Sequence, residues 1–134
     1  MSYLLDTNVI SETWRPKPDR RVQQWLEDTP NDDMYLSVLT LGEIRKGIEK
    51  LDKGKKKAQL VSWLDHKLPA WFGDRLLPIN LDIADRWGYL LGAMDRPIPA
   101  IDSLLAATAL TFNLKMVTRK VMPQQTLPCP KRVP

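Results

Sequence analysis

The amino-acid sequence predicts an α/β fold, in which a parallel sheet of four to five short strands is flanked by helices on both faces. Two observations support this prediction. Four apolar runs of three or four residues have the length of short buried strands, and segments with helical spacing of apolar residues separate them. Strands that alternate with helices form parallel sheets covered by those helices. A chain of 134 residues has room for one such domain.

The first strand and the first long helix follow from local patterns. Residues 3–5 form a short, uninterrupted apolar run, which predicts a buried strand with Asp6 at its carboxyl end. Two prolines indicate a loop over residues 15–19. In residues 20–28 the apolar side chains recur at helical spacing, and we expect Trp25 to be a core residue rather than a platform for stacking bases.

Residues 34–36 predict the second strand, and Ser37 can cap a helix over residues 38–51. The predicted apolar stripe of this helix consists of Leu41, Ile44, Ile48 and Leu51. Glu43 lies on the row beside that stripe. It is either a functional acid or a surface partner of Lys46 three residues later, and periodicity alone does not decide between them.

The central part of the chain predicts a helix over residues 55–67, a loop over residues 68–75 and a third strand over residues 76–79. The predicted loop carries Trp71 and Phe72. These two rings either fill the core or form an exposed surface for a second copy or a partner helix.

The last helices and strand follow the same patterns. Residues 81–94 predict an amphipathic helix whose inward side chains are Ile83, Trp87, Leu90, Leu91 and Met94. Two prolines separate it from a helix over residues 101–111, which places Asp102 in the first turn. The helix dipole favours an acid there whatever its function. Residues 115–118 predict the fourth strand.

Three acids lie within or directly after apolar segments, namely Asp6, Glu43 and Asp102. A carboxylate beside a buried face is costly unless an opposite charge compensates it. A hard divalent cation with oxygen ligands is a common compensation, so these residues indicate a Mg²⁺ or Mn²⁺ site. In parallel sheets ligands bind beyond the carboxyl ends of the strands, which is where Asp6 is predicted to lie.

The charge balance suits a polyanionic substrate. The chain carries 20 Lys and Arg against 16 Asp and Glu, for a net charge of +4 and a pI near 9.3. Candidate phosphate contacts lie in residues 15–21, 45–46 and 53–57, although each cluster could equally be a solvated face. No apolar stretch has the length of a membrane span, and we expect a cytoplasmic protein with no signal peptide.

The single cysteine and the single histidine exclude several kinds of site. Cys129 is the only cysteine, so a disulfide or a thiolate zinc site within one chain is excluded. His66 is the only histidine, which excludes acid–base catalysis by a histidine pair. A triad with one histidine stays open, but the context of His66 is that of an ordinary helical turn.

Four segments occur in a specific order: residues 4–12 with the sequence Leu-Leu-Asp-Thr-Asn-Val-Ile-Ser-Glu, the helix with Glu43, residues 97–109 around Asp102, and residues 117–119. The acids are separated by 37 residues from Asp6 to Glu43 and by 59 from Glu43 to Asp102. Together, over residues 3–119, they resemble a PIN-domain ribonuclease of the VapC toxin type.

This resemblance implies a PIN-like sheet and a bacterial toxin that cuts RNA with Mg²⁺ or Mn²⁺. It also implies restraint by a cognate antitoxin protein and formation of a homodimer. The catalytic and metal-binding positions of the family correspond here to Asp6, Glu43 and Asp102. Further candidates, for orienting carboxylates or water and for contacting phosphate, are Thr7, Asn8, Ser103 and Arg119.

The sequence departs from the family pattern after Arg119. The family continues with a polar residue and a fourth acid, whereas no Asp or Glu occurs here from residue 119 to residue 134. Four prolines fall among the last 12 residues, which makes a fifth regular strand improbable. We therefore predict a nuclease domain over residues 1–119 and an irregular, Pro-rich tail over residues 120–134.

Two functions follow from these observations. The first is a metal-dependent endoribonuclease, the toxin of a toxin–antitoxin pair, which hydrolyses RNA phosphodiester bonds. The alternative is a catalytically impaired PIN-fold protein that binds antitoxin or RNA without cutting, because the fourth acid is missing. A phosphoryl-transfer enzyme such as a receiver or phosphatase fits the order of three acids less well.

Overall fold

The protein, described by a computed structural model over residues 1–118, is built around a parallel sheet. Its four strands are β1 Tyr3–Leu5, β2 Met34–Ser37, β3 Leu76–Leu77 and β4 Lys115–Val117. They are arranged in the order β3-β2-β1-β4, and every neighbouring pair is parallel. The predicted parallel sheet is confirmed. The predicted tail and Arg119 lie outside the described residues.

Seven helices surround the sheet within residues 1–118. They are α1 Thr7–Ser11, α2 Arg20–Asp28, α3 Val38–Glu49, α4 Lys55–Ser62, α5 Leu68–Phe72, α6 Leu81–Gly92 and α7 Ala100–Thr111. Short 3-10 turns span Glu12–Trp14, Asn31–Asp33 and Gly73–Arg75, and a π-helical turn spans Trp63–Lys67. No helix in this part of the chain is long and apolar enough to cross a membrane.

Polar side chains define the start of four helices. Asp6, Asp19, Ser37 and Asn80 each accept a hydrogen bond from a backbone N–H in the first turn of α1, α2, α3 and α6. Such caps typically contribute about 1 kcal/mol each. At Asp6 and Ser37 the strand ends and the next helix begins within one residue, so both residues lie at the carboxyl edge of the sheet.

The core lies on both faces of β1. Leu5 belongs to a cluster formed largely by α1 to α5, whereas Leu4 packs with Leu105 and Ala109 of α7. Both leucines are fully buried, because neighbouring side chains of a strand point to opposite faces. Trp25 is 4% exposed in the first cluster, which confirms that it is a core residue. The predicted α/β/α layering is therefore confirmed.

The predicted loop over residues 68–75 was wrong, because α5 and a 3-10 turn occupy this segment. Pro69 lies in the first turn of α5, where its missing N–H costs no helical hydrogen bond. Just before it, the helix widens into the π turn, in which the N–H of Leu68 donates to the carbonyl of Trp63. Phe72 is 1% exposed, so this ring fills the core.

Two inward positions predicted at helix ends were also wrong. Leu51 is 39% exposed and Met94 is 48% exposed. Each residue lies two positions beyond the last residue of its helix, at Glu49 for α3 and Gly92 for α6. Helical periodicity no longer determines the direction of a side chain once the helix has ended.

Candidate active site

Asp6 lies at the point where the strand order reverses. The chain adds β2 and β3 on one side of β1 and then places β4 on the other side. The backbone N–H of Asp6 donates to the carbonyl of Val117 in β4, at 3.0 Å. Its carboxylate accepts a hydrogen bond from the backbone N–H of Thr7, with Oδ1 at 2.8 Å. Ligands of open parallel sheets bind at this type of reversal.

Glu43 is joined to the same edge by Thr7. The hydroxyl of Thr7 donates to Oε1 of Glu43 at 2.6 Å, which is the short distance typical of an O–H group bound to a carboxylate. This contact links α1 to α3, whose early turns lie after β1 and β2. Glu43 forms no ion pair with Lys46, both of them within the described residues. The surface pair with Lys46 is therefore not seen, and the functional role of Glu43 stays a prediction.

Asp102 is exposed in the first turn of α7, and its negative charge acts on the carboxylate of Asp6. Burial is the main cause that raises the pKa of Asp6, while the N–H of Thr7 lowers it. The negative charges of Glu43 and then Asp102 raise this pKa further. The fold therefore brings the three predicted acids into electrostatic contact, although they are far apart in sequence.

The chemistry of these residues fits a hard divalent cation. Carboxylate oxygens are the ligands that Mg²⁺ and Mn²⁺ prefer, and a bound cation would oppose the effects of burial and of the neighbouring negative charges, which raise the pKa of Asp6. Within residues 1–118, however, no group of three or more His, Cys, Asp or Glu side chains is arranged to hold a metal ion.

The other candidate residues have different surroundings. Thr7 bridges two of the acids, and Asn8 is exposed on α1. Ser103 is 5% exposed, and its hydroxyl accepts a hydrogen bond from the indole N–H of Trp87 at 2.9 Å. The same hydroxyl reaches the carbonyl of Pro99 at 3.0 Å. Ser103 thus joins α6 to α7.

A groove of about 250 Å³ is lined by Glu43, one of the three acids, and by residues of α3 and α4. We call it the lateral groove. Its walls include Thr7, Glu43, Trp14, Arg15, Lys56 and Leu60. A larger cavity of about 510 Å³ lies on the side of Glu12 and Trp71 and contains none of the three acids. The carboxylates, and not cavity size, therefore locate the candidate site.

Sequence analysis missed Glu12, which is 4% exposed. Its Oε1 accepts a hydrogen bond from the backbone N–H of Asp19 at 2.7 Å, and its Oε2 lies 3.5 Å from Nε of Arg15. This carboxylate therefore closes the loop between α1 and α2. The available signal was an acid two residues after the apolar pair Val9 and Ile10 and just before a loop with two prolines.

Trp14 was also missed. It ends the 3-10 turn after α1 and packs edge-on against Trp63, with ring centroids 4.5 Å apart. The available signal was its position beside Arg15, since aromatic and basic neighbours are common where proteins bind nucleic acids.

Comparison with known proteins shows which protein family the chain is similar to. Residues 3–119 match the family model described as the PIN domain. The chain is 39% identical over 119 residues to Toxin FitB of Neisseria gonorrhoeae, covering 87% of this chain and 86% of FitB. It is 35% identical over 124 residues to VapC ribonuclease Y4jK of Sinorhizobium fredii, covering 90% and 88%.

A solved structure shows the same fold. The crystal structure of FitAcB from Neisseria gonorrhoeae superposes with a TM-score of 0.81 at 38% identity. The match covers 87% of this chain and 86% of that chain. Similarity of this extent shows that the two chains share the same overall fold.

Proposed function

Since the chain belongs to the PIN domain family, we propose that it is a ribonuclease toxin that hydrolyses RNA phosphodiester bonds. Two relatives support this proposal, because one is named a VapC ribonuclease and the other a toxin, and both match about nine-tenths of the chain. The resemblance in the order of the acids points to the same activity.

One observation carries the proposal. Asp6 and Glu43 are held at the carboxyl edge of the sheet by the backbone N–H and the hydroxyl of the same residue, Thr7. The charges of Glu43 and Asp102 act on Asp6 and raise its pKa. A bound cation would compensate these negative charges.

We assign Asp6, Glu43 and Asp102 as the residues that hold Mg²⁺ or Mn²⁺. The bound ion would lower the pKa of a water molecule and neutralise charge on the phosphate oxygens. Thr7 keeps the carboxylate of Glu43 oriented, and the backbone of Val117 keeps Asp6 in place. Because water would attack rather than the ribose 2′-hydroxyl, the products would carry a 5′-phosphate and a 3′-hydroxyl.

The proposal includes two protein partners. The first is a cognate antitoxin, by analogy with the relative named a toxin. The second is another copy of the chain. An apolar surface on α6 is available for such a contact, since Leu81 is 83% exposed and Tyr89 is 78% exposed. A dimeric mass at micromolar concentration in light scattering is the expected result, and a monomeric mass would refute the dimer. Cytoplasmic residence stays a prediction.

The impaired protein is the alternative function. No acid is available from residue 119 onwards, and no three acids are already arranged for a metal within residues 1–118. Loss of a supporting carboxylate can weaken metal affinity by about 10- to 100-fold. An impaired protein would still fold and bind RNA or antitoxin, but it would not cut at physiological metal concentration.

A cleavage assay separates the two functions. Purified protein is incubated with a pool of structured RNAs in Mn²⁺ and in EDTA, and the new ends are sequenced. We expect cleavage in Mn²⁺ only, and loss of cleavage in Asp102→Asn. A matched control is Asp82→Asn, because Asp82 is also an exposed acid in the first turn of a helix, α6. Cleavage that survives in EDTA or in Asp102→Asn would refute the assigned site.

A further inference from the structure

The lateral groove has an aromatic wall whose position is set by the architecture around it. Trp14 is half-buried and packs edge-on against Trp63. Trp63 is the first residue of the π turn, which lies directly before the turn that contains Pro69. The contact with Trp63, at the start of this π turn, holds Trp14 in the lining of the groove.

The groove also carries positive charge. Arg15 and Lys56 line it from opposite elements, the loop after α1 and the start of α4. The side chain of Arg15 is 47% exposed and shares its charge with the buried Glu12. Lys56 is exposed, and neither neighbour of it in sequence lines the groove. Two cations beside an aromatic ring fit a nucleotide, which has a phosphate and a flat base.

The acidic end of the same groove connects it to the proposed chemistry. Thr7 and Glu43 line its inner end. A strand of RNA whose phosphate lies at the acids must continue away from them, and the groove is a path along which the next nucleotide can lie. Arg15 and Lys56 would then lie near the RNA backbone, and Trp14 would lie near the base.

We propose that the lateral groove binds an unpaired RNA nucleotide beside the cleaved phosphate, with its base stacked on Trp14 and its phosphates contacted by Arg15 and Lys56. This inference rests on the proposed ribonuclease function. It adds a residue that contacts the substrate outside the three acids. Stacking on an aromatic ring is tolerant of sequence, so Trp14 would select single-stranded RNA rather than a particular base.

The competing occupant is an apolar peptide, since Ile44, Ile48 and Leu60 also line the groove. Two observations favour RNA. A helix bound in a groove needs several successive anchor sites along its length, whereas this cavity of about 250 Å³ is smaller than the usual ligand pocket. The cations Arg15 and Lys56 also line the groove, and an apolar side chain would gain no binding energy from their charges.

Binding without cleavage provides the test. In EDTA, fluorescence anisotropy compares octa-adenylate with a ribose-phosphate octamer of the same length that has no bases. We expect wild-type protein to bind the adenylate about 5- to 150-fold more tightly, which is the effect of stacking one base. Trp14→Ala should remove this preference, and Trp14→Phe should keep part of it. Equal binding of the two octamers by wild-type protein, or an unchanged preference in folded Trp14→Ala, would overturn the proposal.

A second measurement needs no variant and therefore does not depend on the folding of Trp14→Ala. RNA that contains 5-iodouridine is crosslinked to wild-type protein by long-wavelength light, and the modified residue is found by peptide sequencing. A crosslink at Trp14 supports the proposal. Crosslinks at other residues alone would overturn it, as would a Trp14 variant that weakens binding of a protein partner but leaves RNA binding unchanged.

The salt dependence of RNA binding tests the contact between Lys56 and phosphate. Lys56→Gln should make the dependence of log affinity on log salt shallower by about 0.7, the value for one phosphate contact on a single strand. Lys55→Gln is the matched control, because it removes an exposed lysine next to the groove but outside its lining. Equal slopes in the two variants would count against the phosphate contact.

The two proposals can fail separately. Cleavage of RNA without a preference for base-bearing octamers would remove the stacking role and leave the ribonuclease. A stacking preference without cleavage would leave the groove as an RNA site and remove the proposed catalytic function.

Discussion

Replacing Glu12 by Ala removes a buried carboxylate that holds the loop between α1 and α2. The carboxylate is 4% exposed, and it accepts the backbone N–H of Asp19 at 2.7 Å. A hydrogen bond to a charged group contributes about 1.5–3 kcal/mol to the free energy of unfolding. The second oxygen lies 3.5 Å from Nε of Arg15, whose side chain is 47% exposed, so this pair adds only about 0–1 kcal/mol.

The expected loss of stability in Glu12→Ala is therefore about 2–4 kcal/mol. For a chain of this size the entropy of unfolding is about 0.28 kcal/mol per kelvin, which converts the loss into a decrease in Tm of about 7–14 °C. Thermal unfolding followed by circular dichroism measures it. The control is Glu27→Ala, which removes an exposed acid on α2 and should change Tm by less than about 2 °C.

A Tm of Glu12→Ala within about 2 °C of wild type would refute this reasoning. It would mean that the cost of taking the carboxylate out of water cancels the stabilisation that its contacts provide, as occurs for some buried ion pairs. Glu12 would then be a buried charge that does not stabilise the loop carrying Trp14 and Arg15.

Three further predictions concern the site. Burial and two acidic neighbours raise the pKa of Asp6, so the folded protein binds this proton more tightly than the unfolded chain, and stability falls as pH rises from about 3.8 through the folded pKa. In EDTA, Asp6→Asn should therefore raise Tm at pH 7 but not at pH 3, and an equal change at both would contradict this. Thr7→Val should weaken Mn²⁺ affinity, measured by calorimetry, by about 10- to 100-fold, since Glu43 loses its donor; unchanged affinity would refute the bridging role. Ser103→Ala should lower stability by about 1–2 kcal/mol in urea unfolding, because Trp87 loses its acceptor, yet leave Mn²⁺ affinity unchanged; a loss of affinity would instead assign Ser103 to the site.

Local patterns were sufficient for most of the fold. The bounds of β1 and α2 agree with the predicted ones, because a short apolar run and an amphipathic segment between turn residues are properties of the sequence within each element. The caps at Asp6 and Ser37 are local for the same reason. The three acids could be selected from the sequence, since each stands in or after an apolar element, and the family resemblance gave them a common role.

Helix ends and interruptions were less predictable. The end of α3 at Glu49 left Leu51 exposed, and the helix through Pro69 continued where a loop was predicted. For α5, packing from distant parts of the chain decided the result. Phe72 is buried against the sheet, which stabilises α5 despite its proline.

The sequence by itself determined which residues are acidic, basic or apolar, and therefore the sheet, the layers and the candidates for metal and phosphate. The tertiary structure alone decided which of them meet. The bond from Thr7 to Glu43 spans 36 positions, the bond from Asp6 to Val117 joins the two ends of the described chain, and the contact of Trp14 with Trp63 forms one wall of the lateral groove. The physical reason is that such contacts depend on strand order and on the distance between helices, which result from packing the whole core and not from any one segment.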